Sequence, residues 1–221
     1  MLRAYPRGRD KRPDVTHDLF DNARWLIGAI ARGLYSRTGD GIASVLERMA
    51  EQAKGEEAFK APVPSVLPVL RYLPQCIGET MLLDADVAAA IAAVEEGLLW
   101  RQSASYSDAV LGEGFSANYG WAEIIGPHGF FEGDDFRLGL LMLGPNRHYR
   151  DHYHPAPELY WPLTSGSLWK LGDGDFAEKP AGATIWHPPM TIHATKTQSS
   201  PLLAIWSWTR DTAAPAKLTG A

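Results

Sequence analysis

The 221-residue chain contains a single cysteine, Cys76. One thiol excludes an internal disulfide and any zinc cluster built from several cysteines. It is compatible with a reducing compartment, so the cytoplasm is the default expectation. No run reaches the roughly 18–20 apolar residues of a membrane span. The N-terminal stretch MLRAYPRGRDKRPDVTHD is basic but has no apolar run, so it does not read as a secretory signal. There is no excess of positive charge either. The net charge of −5 argues against a nucleic-acid partner, which needs a basic face. Internal repeats and low-complexity tracts are missing. What remains is an ordinary globular balance, 45% hydrophobic and 21% charged. The length suits one domain, or one barrel with a helical extension.

Two textures divide the chain. Residues 1–104 read as a helical segment that packs on the β-rich half of the molecule. In THDLFDNARWLIGAIARGLYSR, the residues Leu19, Ala23, Leu26, Ile30 and Leu34 recur at spacings of three and four, one stripe of a helix. Thr16 or Asp18 is placed to cap it. Ile42, Val45, Leu46 and Met49 continue the pattern. APVPSVLPVLRYLPQCI is broken by prolines and allows only short helical turns. DADVAAAIAAVEEGLLWRQ, with an acidic start and a basic end, reads as a helix. Residues 105–212 are short β-rich runs separated by turn signals such as GDGDF and KPAGA, the signature of a sandwich or small barrel. Residues 213–221 are expected to be a loose tail.

The β half concentrates histidine. Of seven in the chain, His148, His152, His154, His187 and His193 fall within 46 residues. In RDHYHPAPELYWPLTSG, residues at i and i+2 of a strand share a face. His148, His152 and His154 would then line one face, and Glu158 and Tyr160 would line the next strand across a Pro-Ala-Pro turn. The bland alternative is a solvated histidine hairpin, but the aromatic flanks suit an inward-facing site. GATIWHPPMTIHA adds Gly182, Pro188 and His193 downstream. His17 and His128 read as bland, and His148 and His187 as peripheral to a metal or simply exposed.

These two segments resemble the signature motifs of the cupin superfamily, G-x5-H-x-H-x(3,4)-E-x6-G and G-x5-P-x-G-x2-H-x3-N. His152, His154, Glu158 and Gly166 match the first; Gly182, Pro188 and His193 match the second. Departures are a displaced opening glycine (Gly144), a closing gap one residue too long, Met190 where the second motif has glycine, and a missing closing asparagine. The resemblance implies a mainly β cupin barrel, a double-stranded β-helix, behind an N-terminal α-helical segment. Tyr160, a tyrosine-rich approach and a late tryptophan strand narrow the likeness to the cupin-type dimethylsulfoniopropionate (DMSP) lyases. By that resemblance His154, Glu158, Tyr160 and His193 are metal ligands, His152 is a ligand in some members, and Tyr149 and Trp208 are pocket positions.

The implied chemistry is the elimination of dimethyl sulfide from DMSP to leave acrylate. Its hard step is removing a proton alpha to a carboxylate, which calls for a Lewis-acidic metal and a base. Tyr160 is the leading base, because a nearby dication lowers a phenol from its ordinary value of about 10; Tyr149 is the alternative. Tyr149 has the wrong parity to share a face with His148 and His152, so its entry needs a bulge. A sulfonium has no hydrogen-bond donors and is held by aromatic faces; Trp206, Trp208, Trp186 and Tyr153 are candidates. Arg147, Arg150 or Arg210 could neutralise a carboxylate. Imidazole, carboxylate and phenolate donors suit Zn or Fe(II), with Mn, Ni and Co also compatible. The expected partner is a small-molecule substrate, with pairing into a homodimer through sheet edges or helices. The competing functions are an Fe(II) dioxygenase or isomerase on the same barrel, and a non-catalytic ligand-binding cupin.

Overall fold

A computed structural model describes residues 15–220; most of the basic N-terminal stretch lies outside the described residues. Helix α1 (Val15–Tyr35) buries Ala23, Leu26, Ile30 and Leu34, the stripe expected from their spacing. Thr16 and Asp18 fall inside its first turn and not at a cap; Asp18 there places negative charge at the positive helix end. Helix α2 (Ile42–Glu51) buries Ile42, Val45 and Met49. A 3₁₀ turn at Pro68–Tyr72 leads into α3 (Leu73–Leu83), and Asp84 caps α4 (Ala85–Val94) by accepting the Val87 amide at 3.2 Å. The alanine-rich helix stops before its expected basic end. Arg101 instead makes a β-bridge with Trp121, because the buried Leu98 and Trp100 are drawn into the core. A single-turn helix, α5 (Asp108–Leu111), comes next. Among the described residues no helix is long and apolar enough to cross a membrane.

The remainder forms two five-stranded antiparallel sheets. One contains, in spatial order, β1 (Tyr119–Ile125), β2 (Arg137–Leu143), β9 (Leu202–Trp208), β4 (Glu158–Pro162) and β7 (Ile185–His187). The other contains β10 (Lys217–Leu218), β3 (His148–Tyr153), β8 (His193–Thr197), β5 (Ser167–Leu171) and β6 (Ala177–Lys179). Strands β4 and β9 are buried on both faces. Their alternate residues serve two cores. Leu159, Trp161, Leu203 and Ile205 point out to the helices, whereas Tyr160, Ala204, Trp206 and Trp208 point between the sheets. Both faces of these strands are apolar apart from Glu158 and Ser207, as double burial requires. The helices cover the first sheet closely: a Cβ on Gly33 of α1 would fall 2.3 Å from the Trp161 ring. Arg37 also stacks on that ring, its guanidinium carbon 4.0 Å from the centroid.

The tail expected to be loose is partly structured. β10 pairs antiparallel with β3, Leu218 opposite His152 and Lys217 opposite Tyr153, and the Thr219 amide donates to the Asp151 carbonyl at 2.9 Å. Two residues are too few to show a period, but an unpaired edge strand at β3 supplies the partner groups.

Candidate metal centre

Two rows of side chains face each other between the sheets. On β4, Glu158 has two cross-strand neighbours, His187 on β7 and Trp208 on β9. On the opposing sheet His152 of β3 is paired with His193 of β8. His154 lies in the short connection from β3 to β4. All five acidic and imidazole side chains are 3% exposed or less. Three ring nitrogens surround one carboxylate oxygen, Glu158 Oε2: His154 Nε2 at 3.1 Å, His193 Nε2 at 3.3 Å and His187 Nδ1 at 3.6 Å. The other oxygen, Oε1, accepts from Trp208 Nε1 at 2.7 Å.

Backbone carbonyls orient three of the rings. Arg150 O, Ala156 O and Thr191 O each lie 2.8 Å from Nδ1 of His152, His154 and His193 respectively. A carbonyl can only accept, so the proton is on Nδ1 and the Nε2 lone pair turns inward. Inward lone pairs facing a carboxylate oxygen repel unless a cation or added protons lie among them. His193 Nε2 has no hydrogen-bond partner among the described residues although it is buried. Two overlapping sets, His152–His154–His193 and Glu158–His187–His193, each keep their donor atoms within 4.8 Å of one another. The donor set fits a divalent metal.

Protonation depends on the same geometry. Burial opposes ionisation of Glu158, but the positive charge that added protons give His154, and with it His187 and His193 around Oε2, outweighs burial and holds the carboxyl well below its usual range. Burial, then His193, keeps His152 neutral well below the ordinary histidine value. The same causes bring His187 down to about 4. Burial and the Glu158 charge push the Tyr160 phenol well up.

Beside this cluster is a cavity of about 110 Å³ lined by Tyr119, Trp121, Arg137, Leu141, Tyr149, Glu158, Tyr160, Trp206 and Trp208, with Pro215 and Ala216 of the tail at its edge. Tyr149 reaches it through the required bulge: Tyr149 opposes Thr195 and His152 opposes His193, one extra residue on β3. Its ring stacks on His152 at 3.9 Å and its hydroxyl donates to Tyr106 Oη at 3.1 Å. Burial raises the Tyr149 phenol well above its usual value, and Tyr119 and Tyr106 add to the shift.

Residues 41–204 match the family described as dimethylsulfoniopropionate lyase, most of the chain. The chain belongs to the DMSP lyase family. It is 26% identical over 167 residues to dimethylsulfoniopropionate lyase DddQ of Ruegeria pomeroyi, covering 67% of this chain and 78% of that one. It is 27% identical over 168 residues to the putative dimethylsulfoniopropionate lyase DddL of Cereibacter sphaeroides, covering 75% and 69%. The crystal structure of DMSP lyase DddQ from Ruegeria pomeroyi superposes with a TM-score of 0.70 at 20% identity, over 90% of this chain and 96% of that one. A chain from the crystal structures of the DMSP lyases RdDddP and RnDddQII gives 0.72 at 23% identity, over 91% and 99%. The fold, two facing antiparallel sheets behind a helical N-terminal segment, is the cupin barrel expected from the two histidine motifs.

Several expectations are corrected within this DMSP lyase fold. Trp186 does not line the cavity: it faces out from β7 onto Gly41 at the start of α2, where a Cβ would fall 2.0 Å from its ring. The period-two alternation that turns Ile185 and His187 inward turns it outward. Tyr153 likewise stays out of the cavity and pairs with Lys217. His148, expected beside His152, sits before the bulge and packs on Phe176 at 5.6 Å. Arg147 and Arg150 bind backbone carbonyls at Glu113 and Val110, and Arg210 pairs with Asp211. The arginine at the cavity is Arg137, paired with buried Glu123 at 3.1 Å. His187, peripheral by its sequence context, is buried at the heart of the cluster. Tyr106 and Tyr119, which no sequence motif marks, join Tyr149 in an aromatic group. Met190 holds the left-handed conformation (φ 61°) at the position where the second motif has glycine, so the turn survives without it.

Proposed function

We propose that the protein cleaves DMSP to dimethyl sulfide and acrylate. The observation that carries this reading is the convergence of three imidazole nitrogens on Glu158 Oε2, a carboxylate that lines an aromatic cavity. Membership of the DMSP lyase family supports it. His152, His154, Glu158 and His193, with Tyr160 beside them, would hold one divalent ion. Such an ion supplies Lewis acidity toward the substrate carboxylate and favours the phenolate of a neighbouring tyrosine. Zinc suffices, because elimination changes no oxidation state; Fe(II), Mn, Ni and Co suit the same donors.

Tyr160 takes the proton alpha to the carboxylate. The Cα–H electrons become the second bond of acrylate, the Cβ–S bond breaks, and dimethyl sulfide leaves neutral without an acid at sulfur. Trp206 and Trp208 present aromatic faces to the sulfonium. Tyr149, its hydroxyl tied to Tyr106, positions the substrate from the opposite wall. Burial of the whole constellation excludes water, so the developing charge meets fixed groups rather than solvent. The test is anaerobic incubation of metal-reconstituted protein with DMSP, with dimethyl sulfide measured in the headspace. Dimethyl sulfide forming without oxygen supports a lyase and excludes a dioxygenase. No product with any of these metals would sink the reading.

A further inference from the structure

We propose that His187 is an additional donor to the same metal ion. The proposal rests on the metal reading above and extends it to a residue at a position that neither motif assigns to the metal. His187 is the direct cross-strand neighbour of Glu158, and its Nδ1 lies 3.6 Å from Glu158 Oε2. Its ring lies against His193, centroids 4.0 Å apart. What separates it from the other three histidines is satisfaction. Each of those has a ring nitrogen 2.8 Å from a backbone carbonyl. Both nitrogens of His187 are buried without a partner among the described residues. Burying two polar nitrogens unsatisfied opposes folding, and a bond to a cation removes that cost for the inward one.

The distances permit it. Two ligands of one ion at about 2.1 Å are at most about 4.2 Å apart. His187 Nδ1 and His193 Nε2 lie 3.6 and 3.3 Å from Glu158 Oε2, already within that limit. A further imidazole adds a donor without adding charge. It biases the site toward zinc, iron, cobalt or nickel and away from magnesium or calcium.

The test uses the full chain, stripped of metal and reconstituted with Co(II), as wild type, His187→Ala and His187→Asn. Affinity is read by chelator competition and coordination number by visible absorption. Loss of the donor in His187→Ala is expected to weaken Co(II) binding tenfold or more and to raise the visible extinction as the coordination number falls. His187→Asn, with a side-chain oxygen near the Nδ1 position, is expected to lie between that variant and the wild type. A His187→Ala protein with native circular dichroism, affinity within twofold and a superimposable spectrum would overturn the proposal. If His187→Ala does not fold, His187→Asn decides by the same two readouts, and wild-type affinity and spectrum there overturn it. Wild-type protein that binds no Co(II) overturns the metal reading and this inference together.

Discussion

Trp208→Phe isolates one hydrogen bond of the centre. Trp208 Nε1 donates to Glu158 Oε1 at 2.7 Å, which leaves Oε2 turned toward the imidazoles. Phenylalanine keeps an aromatic ring against His154, now 4.4 Å away, but removes the donor. A hydrogen bond to a charged group contributes about 1.5–3 kcal/mol. The orienting partners of metal ligands change affinity about 10- to 100-fold, which is the same scale. Trp208→Phe should therefore weaken metal binding by one to two orders of magnitude, measured by competition with a chromophoric chelator. Trp206 supplies the control, since it lies on the same face of β9 but its Nε1 has no hydrogen-bond partner among the described residues. Trp206→Phe should leave metal affinity unchanged. Affinity within twofold of wild type in Trp208→Phe, or equal weakening by both, would refute the orienting role.

The same geometry sets other outcomes. Tyr160→Phe should lower kcat by about 10²–10⁴-fold at saturating metal while the urea midpoint holds; turnover within tenfold of wild type would shift the base to Tyr149. The metal-free protein should lose stability as pH falls from 7 to 4. His187 binds its proton near 4 in the fold but near 6.5 once unfolded, so acid favours the unfolded chain by about 3 kcal/mol across that window. Glu158, ionised in the fold well below its usual range, adds further loss as pH drops below the unfolded carboxyl value. A flat urea midpoint from pH 7 to 4 in chelator would contradict both assignments. Gly33→Ala should cost about 1–3 kcal/mol in urea denaturation, because the added methyl meets the Trp161 ring; a neutral result would mean that α1 can shift off the sheet.

Much of the architecture was legible in local patterns. The α1 stripe, the change from a period near 3.6 to short β-rich runs, and the residues of the two histidine segments all depend on spacing within one element. A helix or strand presents its own residues at a fixed angle, so such spacing carries through folding. The short turns through Pro68–Tyr72 also arise from proline, which removes a backbone donor wherever it stands.

What spacing could not decide was which elements meet. His187 looked peripheral because it stands at an unspecified position of the second motif; its place beside Glu158 comes from the pairing of β7 with β4. Tyr149 had the wrong parity until the extra residue on β3 turned it inward, and the same bulge separates His148 from His152. The tail became a strand only because β3 offered it an open edge. The sequence by itself determined the donors, the aromatic stock and the elements that carry them. Tertiary pairing decided their convergence, because register and bulges are settled between strands, where side-chain burial and hydrogen bonding on both partners must be satisfied at once.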